Sequence, residues 1–245
     1  MMSTNTVHRY ADAPTLARGA AKRLVAALED LQAEPGRVAQ LCLTGGRIAA
    51  RMYKELGRLI QDSGVDTRRL ELWWGDERFV PTSDPDRNAG PTLALLARHF
   101  SLDPARTHPM PAADGIIDSA ECAAAYEKEL GDTVFDICLL GMGPDGHVAS
   151  IFPGHPSFAE RSYGAIGVTN SPKPPPERIS LTIPTLNRSR QIWFLVSGED
   201  KAEAVARSWN GDRSIPAGVV RGTVETTWLV DSDASSRIPY HSCSL

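Results

Sequence analysis

The stretch that constrains this chain most runs from Phe135 to Gly154 and reads FDICLLGMGPDGHVASIFPG. It opens with a nearly unbroken apolar run of Phe135, Ile137, Cys138, Leu139 and Leu140. That is the pattern of a strand buried on both faces of a parallel sheet. The run then breaks into Gly141, Gly143 and Gly146, residues that let the backbone turn tightly and a ligand come close. Asp145 and His147 fall inside that turn. An open α/β sheet puts its site where a strand ends in such a loop.

The same glycines, Gly141-x-Gly143-x-x-Gly146, match the dinucleotide fingerprint, a motif of low specificity on its own. Asp145 would set a carboxylate beside a pyrophosphate, and Pro153 and Gly154 leave little room for the helix that should follow. No acid closes a second strand about 20 residues on, where the ribose contact belongs. No nicotinamide or flavin cofactor is therefore expected.

The rest of the chain alternates strand and helix. Asp12 and Pro14 open a helix with Leu16, Ala20, Leu24 and Leu28 on one face, stopped by Pro35-Gly36. A strand over 38–43 runs into Thr44-Gly45-Gly46, and a helix carrying Ile48, Met52, Leu56 and Leu59 follows. Such a turn directs free backbone N–H groups at whatever lies above it, so it reads equally as a phosphate cradle or as an ordinary tight turn. A strand over 70–74 ends in Gly75-Asp76-Glu77-Arg78, either a ligand edge or a solvated loop with a local ion pair. Asn88 begins a helix reaching His99, residues 101–116 form a proline-rich loop, and 119–130 is an amphipathic helix. Further strands are expected over 163–168, 179–183, 191–196 and 226–230, with a short helix from Pro184 and a longer one opened by Ser197-Gly198-Glu199-Asp200-Lys201 and running through Ala202, Val205 and Trp209. The tails, 1–11 and 232–245, read as loose. The whole, 1–245, reads as one domain, a three-layer α/β/α fold with a mainly parallel Rossmann-like sheet and helices on both faces.

Composition excludes some classes. With 26 basic and 30 acidic residues the net charge is −4, which gives no broad basic face for nucleic acid. No apolar run approaches the roughly 18 residues of a membrane span, and no signal peptide core is present, so a cytoplasmic protein without a membrane partner is expected. Cys42, Cys122, Cys138 and Cys243 show neither metal spacing nor a CxxC pair and read as reduced structural thiols. Asp145, His147 and His155 match no familiar zinc spacing, so no metal is expected.

The Gly-x-Gly-x-Asp-Gly-His loop after a strand resembles the signature shared by the 6-phosphogluconolactonases and the related glucosamine-6-phosphate isomerases/deaminases. The deaminases continue with Phe-Asn-Glu-Pro, whose glutamate belongs to their isomerase chemistry. Here Ser150-Ile-Phe-Pro153 follows, which is similar to the lactonases. Two more blocks agree over a resemblance spanning 12–231. Asp76-Glu77-Arg78-x-Val80-Pro81, followed by Asn88, contrasts with Asp-Glu-Tyr in the deaminases, and Lys173-Pro-Pro-x-x-Arg178-Ile-Ser-Leu-Thr182 is the lactonase pattern. One block departs. The family's Ser-Gly-Gly-Ser-Thr-Pro loop is Thr44-Gly45-Gly46-Arg47-Ile48-Ala49 here, so backbone N–H groups and Arg47 replace a lost hydroxyl.

The resemblance implies hydrolysis of 6-phosphoglucono-δ-lactone to 6-phosphogluconate in the oxidative pentose phosphate pathway. Its substrate is a small sugar-phosphate lactone, and the protein is a monomer or small homo-oligomer. No Gly-x-Ser-x-Gly elbow offers a nucleophile, so water is expected to attack directly, with His147 as base and Asp145 orienting it or holding the loop. Gly143 and Gly146 are expected to offer N–H groups to the oxyanion. Thr44, Gly45, Gly46, Arg47, Asp76, Arg78, Asn88, Lys173 and Arg178 are expected around the substrate and its phosphate, where an arginine fork suits two oxygens at once. Two rivals stand beside this reading. Ile151-Phe152 in place of Asn-Glu argues against an isomerase or deaminase, and the intact His147 argues against a non-catalytic sugar-phosphate-binding domain.

Overall fold

A computed structural model describes residues 4–115 and 118–239. Its strands are β1 (Thr4–Tyr10), β2 (Ala39–Leu43), β3 (Leu70–Trp74), β4 (Asp76–Arg78), β5 (Thr107–His108), β6 (Ile137–Leu140), β7 (Ala165–Val168), β8 (Arg178–Leu181), β9 (Gln191–Val196) and β10 (Glu225–Asp231). Its α-helices are α1 (Ala13–Gln32), α2 (Arg47–Leu59), α3 (Ala89–Leu96), α4 (Ser119–Leu130), α5 (Pro156–Ala159), α6 (Ile183–Leu186) and α7 (Ala202–Trp209). Seven strands form one parallel sheet in the order β1-β10-β9-β6-β2-β3-β5. β6 lies at its centre with all four residues buried, as its unbroken apolar run requires.

Strand order reverses between β2 and β6. From β2 the chain steps outward to β3 on one side, and from β6 it steps to β9 on the other. Connections leaving in opposite directions open a crevice at the carboxyl ends of the two strands. The Thr44-Gly45-Gly46 turn after β2 and the Gly141 loop after β6 both open onto it. α1 begins as its sequence dictates: the Asp12 carboxylate accepts from the Thr15 N–H at 2.8 Å, and Leu16, Ala20, Leu24 and Leu28 are buried along one face.

β4, β8 and β7 form a second, antiparallel sheet. The segment 76–78, expected as a loop, is a strand in it, and β7 and β8 belong to it rather than to the main sheet. No helix spans 169–177, and a connection without a crossover helix returns the chain antiparallel. Gly75 joins the two sheets: its N–H donates to the Leu43 carbonyl at 3.0 Å, and its carbonyl accepts from the Leu181 N–H at 2.9 Å.

The tails are more ordered than the sequence suggests. Thr4–Tyr10 of the expected loose start pairs in parallel with β10 along its whole length, from Thr4 opposite Glu225 to Tyr10 opposite Asp231. An edge strand with one solvated side carries too little apolar alternation to be recognised. At the other end Ala234, Ser235 and Ile238 are buried. The proline-rich loop contains β5, only two residues long and so without a period. Residues 1–3 and 240–245 of the two tails, Ile116 of that loop, and Cys243 lie outside the described residues. Cys42, Cys122 and Cys138 are buried free thiols. Among the described residues no helix is long and apolar enough to cross a membrane.

Leu139, at 0% exposure in the central strand, supports the loop that follows. Leu139→Ala is expected to lower unfolding free energy by about 2–5 kcal/mol. Urea unfolding should show the midpoint falling at an unchanged slope, and an unchanged midpoint would contradict the packing described.

Candidate active site

The two glycine turns touch across the crevice. The Gly141 N–H points at the Thr44 hydroxyl at 3.4 Å. Thr44 is itself buried, with its N–H on the Tyr53 hydroxyl at 3.0 Å and its carbonyl accepting from that hydroxyl at 2.9 Å. Thr44 therefore braces the turn from below, while Gly46 at φ 97° and Arg47 form its exposed rim. Gly45 has a steric reason: a Cβ there would lie 1.8 Å from Asn88 Oδ1.

Asn88 and Asp76 are both buried under that turn. Asn88 Nδ2 donates to the Asp76 carbonyl at 3.0 Å and approaches its carboxylate at 3.4 Å. The other Asp76 carboxylate oxygen accepts from Ser150 Oγ at 2.7 Å, and Arg178 Nη1 reaches the same hydroxyl at 3.4 Å. Ser150 thus ties the β3 side of the crevice to the histidine loop and to β8. Of the two readings of this edge, the solvated loop with an ion pair fails at Glu77, which is fully buried. It accepts from the N–H groups of Asn88 at 2.6 Å, Ala89 at 2.9 Å and Arg78 at 2.9 Å, with Arg87 at 3.4 Å. Burial pushes its carboxyl pKa up, against these N–H groups and the Arg87 charge.

His147 folds back over its own loop. Its Nδ1 lies 2.6 Å from Asp145 Oδ1. Partial burial works to raise the Asp145 pKa, but the hydrogen bond and charge of His147 and the charge of Lys173 outweigh it and hold the carboxyl well below the usual range. A carboxylate only accepts, so Nδ1 carries the hydrogen and Nε2 is left as the acceptor. The Lys173 ammonium lies 3.1 Å from Nδ1 and 3.4 Å from Asp145 Oδ1. Two donors do not bond each other, so its partner is the carboxylate. Phe152, buried, packs beneath the imidazole with ring centres 4.8 Å apart. Gly143 is required for this fold-back because a Cβ would meet the His147 ring at 2.1 Å. Ala149, at φ 48°, stores local strain of the kind found at functional loops.

Two expectations change. The Gly143 N–H donates to the His147 carbonyl at 3.1 Å and the Gly146 N–H to the Gly143 carbonyl at 2.9 Å. Both amides close the loop and are not free for an oxyanion. Arg178, expected to face substrate, is largely engaged by its own turn: Nη2 donates to the Lys173 and Pro174 carbonyls at 3.1 and 2.8 Å, and Nε to Pro175 at 3.2 Å. Burial lowers its pKa, opposed by Asp76 and assisted by Arg78. Arg78 sits directly opposite Arg178 across β4 and β8. Its Nη1 holds the Asp86 carbonyl, and its Nε is buried without a partner. Like charges facing each other across a strand pair favour an anion nearby. His155 stands apart, engaged with Ser157 and the Thr169 carbonyl at 2.9 Å each.

The crevice opens into a cleft of about 400 Å³ lined by Gly45, Gly46, Arg47, Gly141, Met142 and Lys201, among others. Sequence reasoning missed Lys201 and Arg51, both of which line this cleft. A signal existed, since Ser197-Gly198 after β9 repeats the strand–glycine–helix transition of Gly45-Gly46, with Gly198 at φ 107°. Lys201 Nζ donates to the Ser197 carbonyl at 3.2 Å and to both Asp200 carboxylate oxygens at 3.3 Å, at the mouth of the cleft.

Residues 11–228 match the family described as glucosamine-6-phosphate isomerases/6-phosphogluconolactonase. The chain is 44% identical to a 6-phosphogluconolactonase of Streptomyces coelicolor over 95% of its own length and 94% of that protein's. It is 40% identical to a 6-phosphogluconolactonase of Mycobacterium leprae over 96% and 98% of the two lengths. In structure it is similar to the 6-phosphogluconolactonase of Thermotoga maritima, with a TM-score of 0.81, 25% identity, and coverage of 93% of this chain and 100% of that one.

Asp145 contributes a pH-dependent share of the stability of the site. Its folded-state pKa is depressed, so its stabilisation is complete above about pH 4, the unfolded value, and is lost as pH falls towards the folded one. Asp145→Asn should therefore lower the thermal midpoint at pH 7, with the gap to wild type closing in acid. A gap that widens in acid would refute the pairing.

Proposed function

The chain belongs to the glucosamine-6-phosphate isomerase/6-phosphogluconolactonase family, and on that premise we propose that it hydrolyses 6-phosphoglucono-δ-lactone to 6-phosphogluconate. The observation that carries this reading within the family is the Asp145–His147 pair, met by Lys173 from a separate turn, on a loop whose continuation, Ile151-Phe152, is buried and apolar. An isomerase or deaminase would need a carboxylate in that continuation. The reaction belongs to the oxidative pentose phosphate pathway, and a cytoplasmic setting goes with it.

The phosphate enters the cleft over Gly45-Gly46, within reach of the free amides at the start of α2 and of Arg47 and Lys201. Held there, it turns the lactone carbonyl towards His147, so binding energy far from the reacting carbon is used for positioning. Asp145 accepts the Nδ1 hydrogen and keeps Nε2 as base. Water attacks the carbonyl carbon as Nε2 takes its proton, and negative charge develops on the carbonyl oxygen. The Lys173 ammonium is the charged donor beside that oxygen, since the Gly143 and Gly146 amides are engaged. Collapse of the tetrahedral state breaks the bond to the ring oxygen, which receives the proton from Nε2. The ring-opened sugar phosphate is left with a carboxylic acid that ionises at neutral pH. Arg78 and Arg178 form a second positive edge, where Arg78 meets the sugar hydroxyls or phosphate and Arg178 holds the 173–178 turn that carries Lys173.

His147→Ala is expected to lower kcat by about 10²–10⁴-fold, the usual contribution of a positioned base, with KM changed little. Hydrolysis of freshly made lactone, read through a coupled dehydrogenase against its spontaneous rate, measures this. A near-normal kcat would remove His147 from the role of base. Lys201→Ala should instead raise KM with kcat nearly kept, and an unchanged KM would remove it from the phosphate site. Release of ammonia from glucosamine 6-phosphate, without lactone hydrolysis, would overturn the reading in favour of a deaminase.

A further inference from the structure

A second cleft, of about 320 Å³, lies on the flank of the molecule between α5, α6 and the turn at 213–221, and shares no residue with the first. Phe158, Ile183, Pro184 and Val219 give it apolar walls, and Arg161, Arg213 and Arg221 line it with no carboxylate among the lining residues. Arg161 Nη1 is fastened to the Phe158 and Glu160 carbonyls at 2.7 and 2.9 Å, which fixes its direction, and the Glu160 carboxylate lies close enough to feel its charge without forming an ion pair with it. Among the described residues no side-chain hydrogen bond or ion pair holds Arg213 or Arg221. Some other arginines of this chain pair with acids, as Arg37 does with Asp136 at 2.6 Å and Arg207 with Asp212 at 2.8 Å. Arg213 and Arg221 thus share the cleft with Arg161 and have no bonded counter-charge of their own, in a chain of net charge −4, and an anion joining them would relieve their mutual repulsion.

We propose that this cleft is a second ligand site that takes a phosphate monoester of a small organic molecule. The guanidinium forks of Arg213 and Arg221 would hold the phosphate oxygens, each fork matching two of them. The apolar walls would cover the ring or carbon body, and a volume at the lower end of the usual range for ligand pockets suits one compact metabolite. Asn187, whose amide is used on the Val219 carbonyl at 3.2 Å and the Arg221 N–H at 2.9 Å, shapes the cleft and does not bind. The turn that lines the site also meets the catalytic loop, as the Ala217 N–H, next to the lining residue Gly218, donates to the Gly146 carbonyl at 3.0 Å.

Isothermal titration calorimetry tests this on the full chain saturated with 6-phosphogluconate, with adenosine 5′-monophosphate, ribose 5-phosphate, adenosine and inorganic phosphate as titrants. One of the two monoesters is expected to bind at one site per chain, with adenosine and inorganic phosphate much weaker. The preferred monoester tells a nucleotide from a sugar phosphate. Arg213→Ala/Arg221→Ala should weaken that binding at least tenfold, and Arg213→Lys/Arg221→Lys, which keeps the charge but loses the forks, should weaken it less. All three arginines are exposed, so both variants should keep the wild-type thermal midpoint and lactone kcat/KM. The proposal is overturned if neither monoester binds, if both bind no better than inorganic phosphate, or if the alanine variant binds as wild type does. Loss of binding in that variant reads the flank directly, whatever the reaction of the main cleft proves to be.

Discussion

The contact between the turn after β2 and the loop after β6 is what the rest of the site depends on. β2 and β6 lie side by side with their connections leaving in opposite directions, and at such a point no crossover covers the strand ends. The Gly141 N–H on the Thr44 hydroxyl joins the two loops at that point. On one side lie backbone amides at the start of α2, and on the other an imidazole directed by a carboxylate. A phosphate and a carbonyl a few atoms away from it on the same substrate can be met only if these two loops keep their distance.

That distance is kept from beneath by buried polar groups. Leaving a carboxylate such as Asp76 or Glu77 in the interior would cost several kcal/mol without partners. Each is surrounded: Glu77 by three backbone N–H groups and Arg87, Asp76 by Ser150 and Asn88. These bonds run between β4, the start of α3 and the histidine loop, so satisfying them also sets the positions of those elements. Glycine enters the same geometry by exclusion. At Gly45 and Gly143 a side chain would overlap Asn88 and His147 respectively, so the close approach of backbone to side chain is possible only without a Cβ.

Most of the long elements were legible in the sequence. The helix 119–130 and the strand 191–196 have the expected bounds, because twelve residues of helical period or five consecutive apolar residues, Ile192–Val196, outweigh local noise. β1, β4 and β5 were not legible. Their residues, Thr4–Tyr10, Asp76–Arg78 and Thr107–His108, are polar or too few to show a period, and they become strands only because a neighbour offers a free edge. For the site, Asp145 and His147 were legible from their glycine loop, whereas Lys201 was missed because one lysine after a strand looks like any helix start. The engagement of the Gly143 and Gly146 amides was equally hidden, since hydrogen bonds within a loop leave no mark on residue types.

By itself the sequence determined the α/β layering, the central buried strand, the glycine loop holding an acid and a histidine, and the absence of an acid at Ile151-Phe152. These are properties of short contiguous stretches, set by periodicity, by backbone freedom and by which side chains are present. Only the tertiary structure decided which residues meet: that Thr44 and Asn88 brace and Arg47 lines, that Arg178 holds a turn, that Lys201 closes the cleft, and that three arginines share a flank. Those facts depend on strand order and on the way residues far apart in the chain satisfy one another's buried polar groups. That pairing is settled by the free energy of the whole assembly and cannot be read from any one segment.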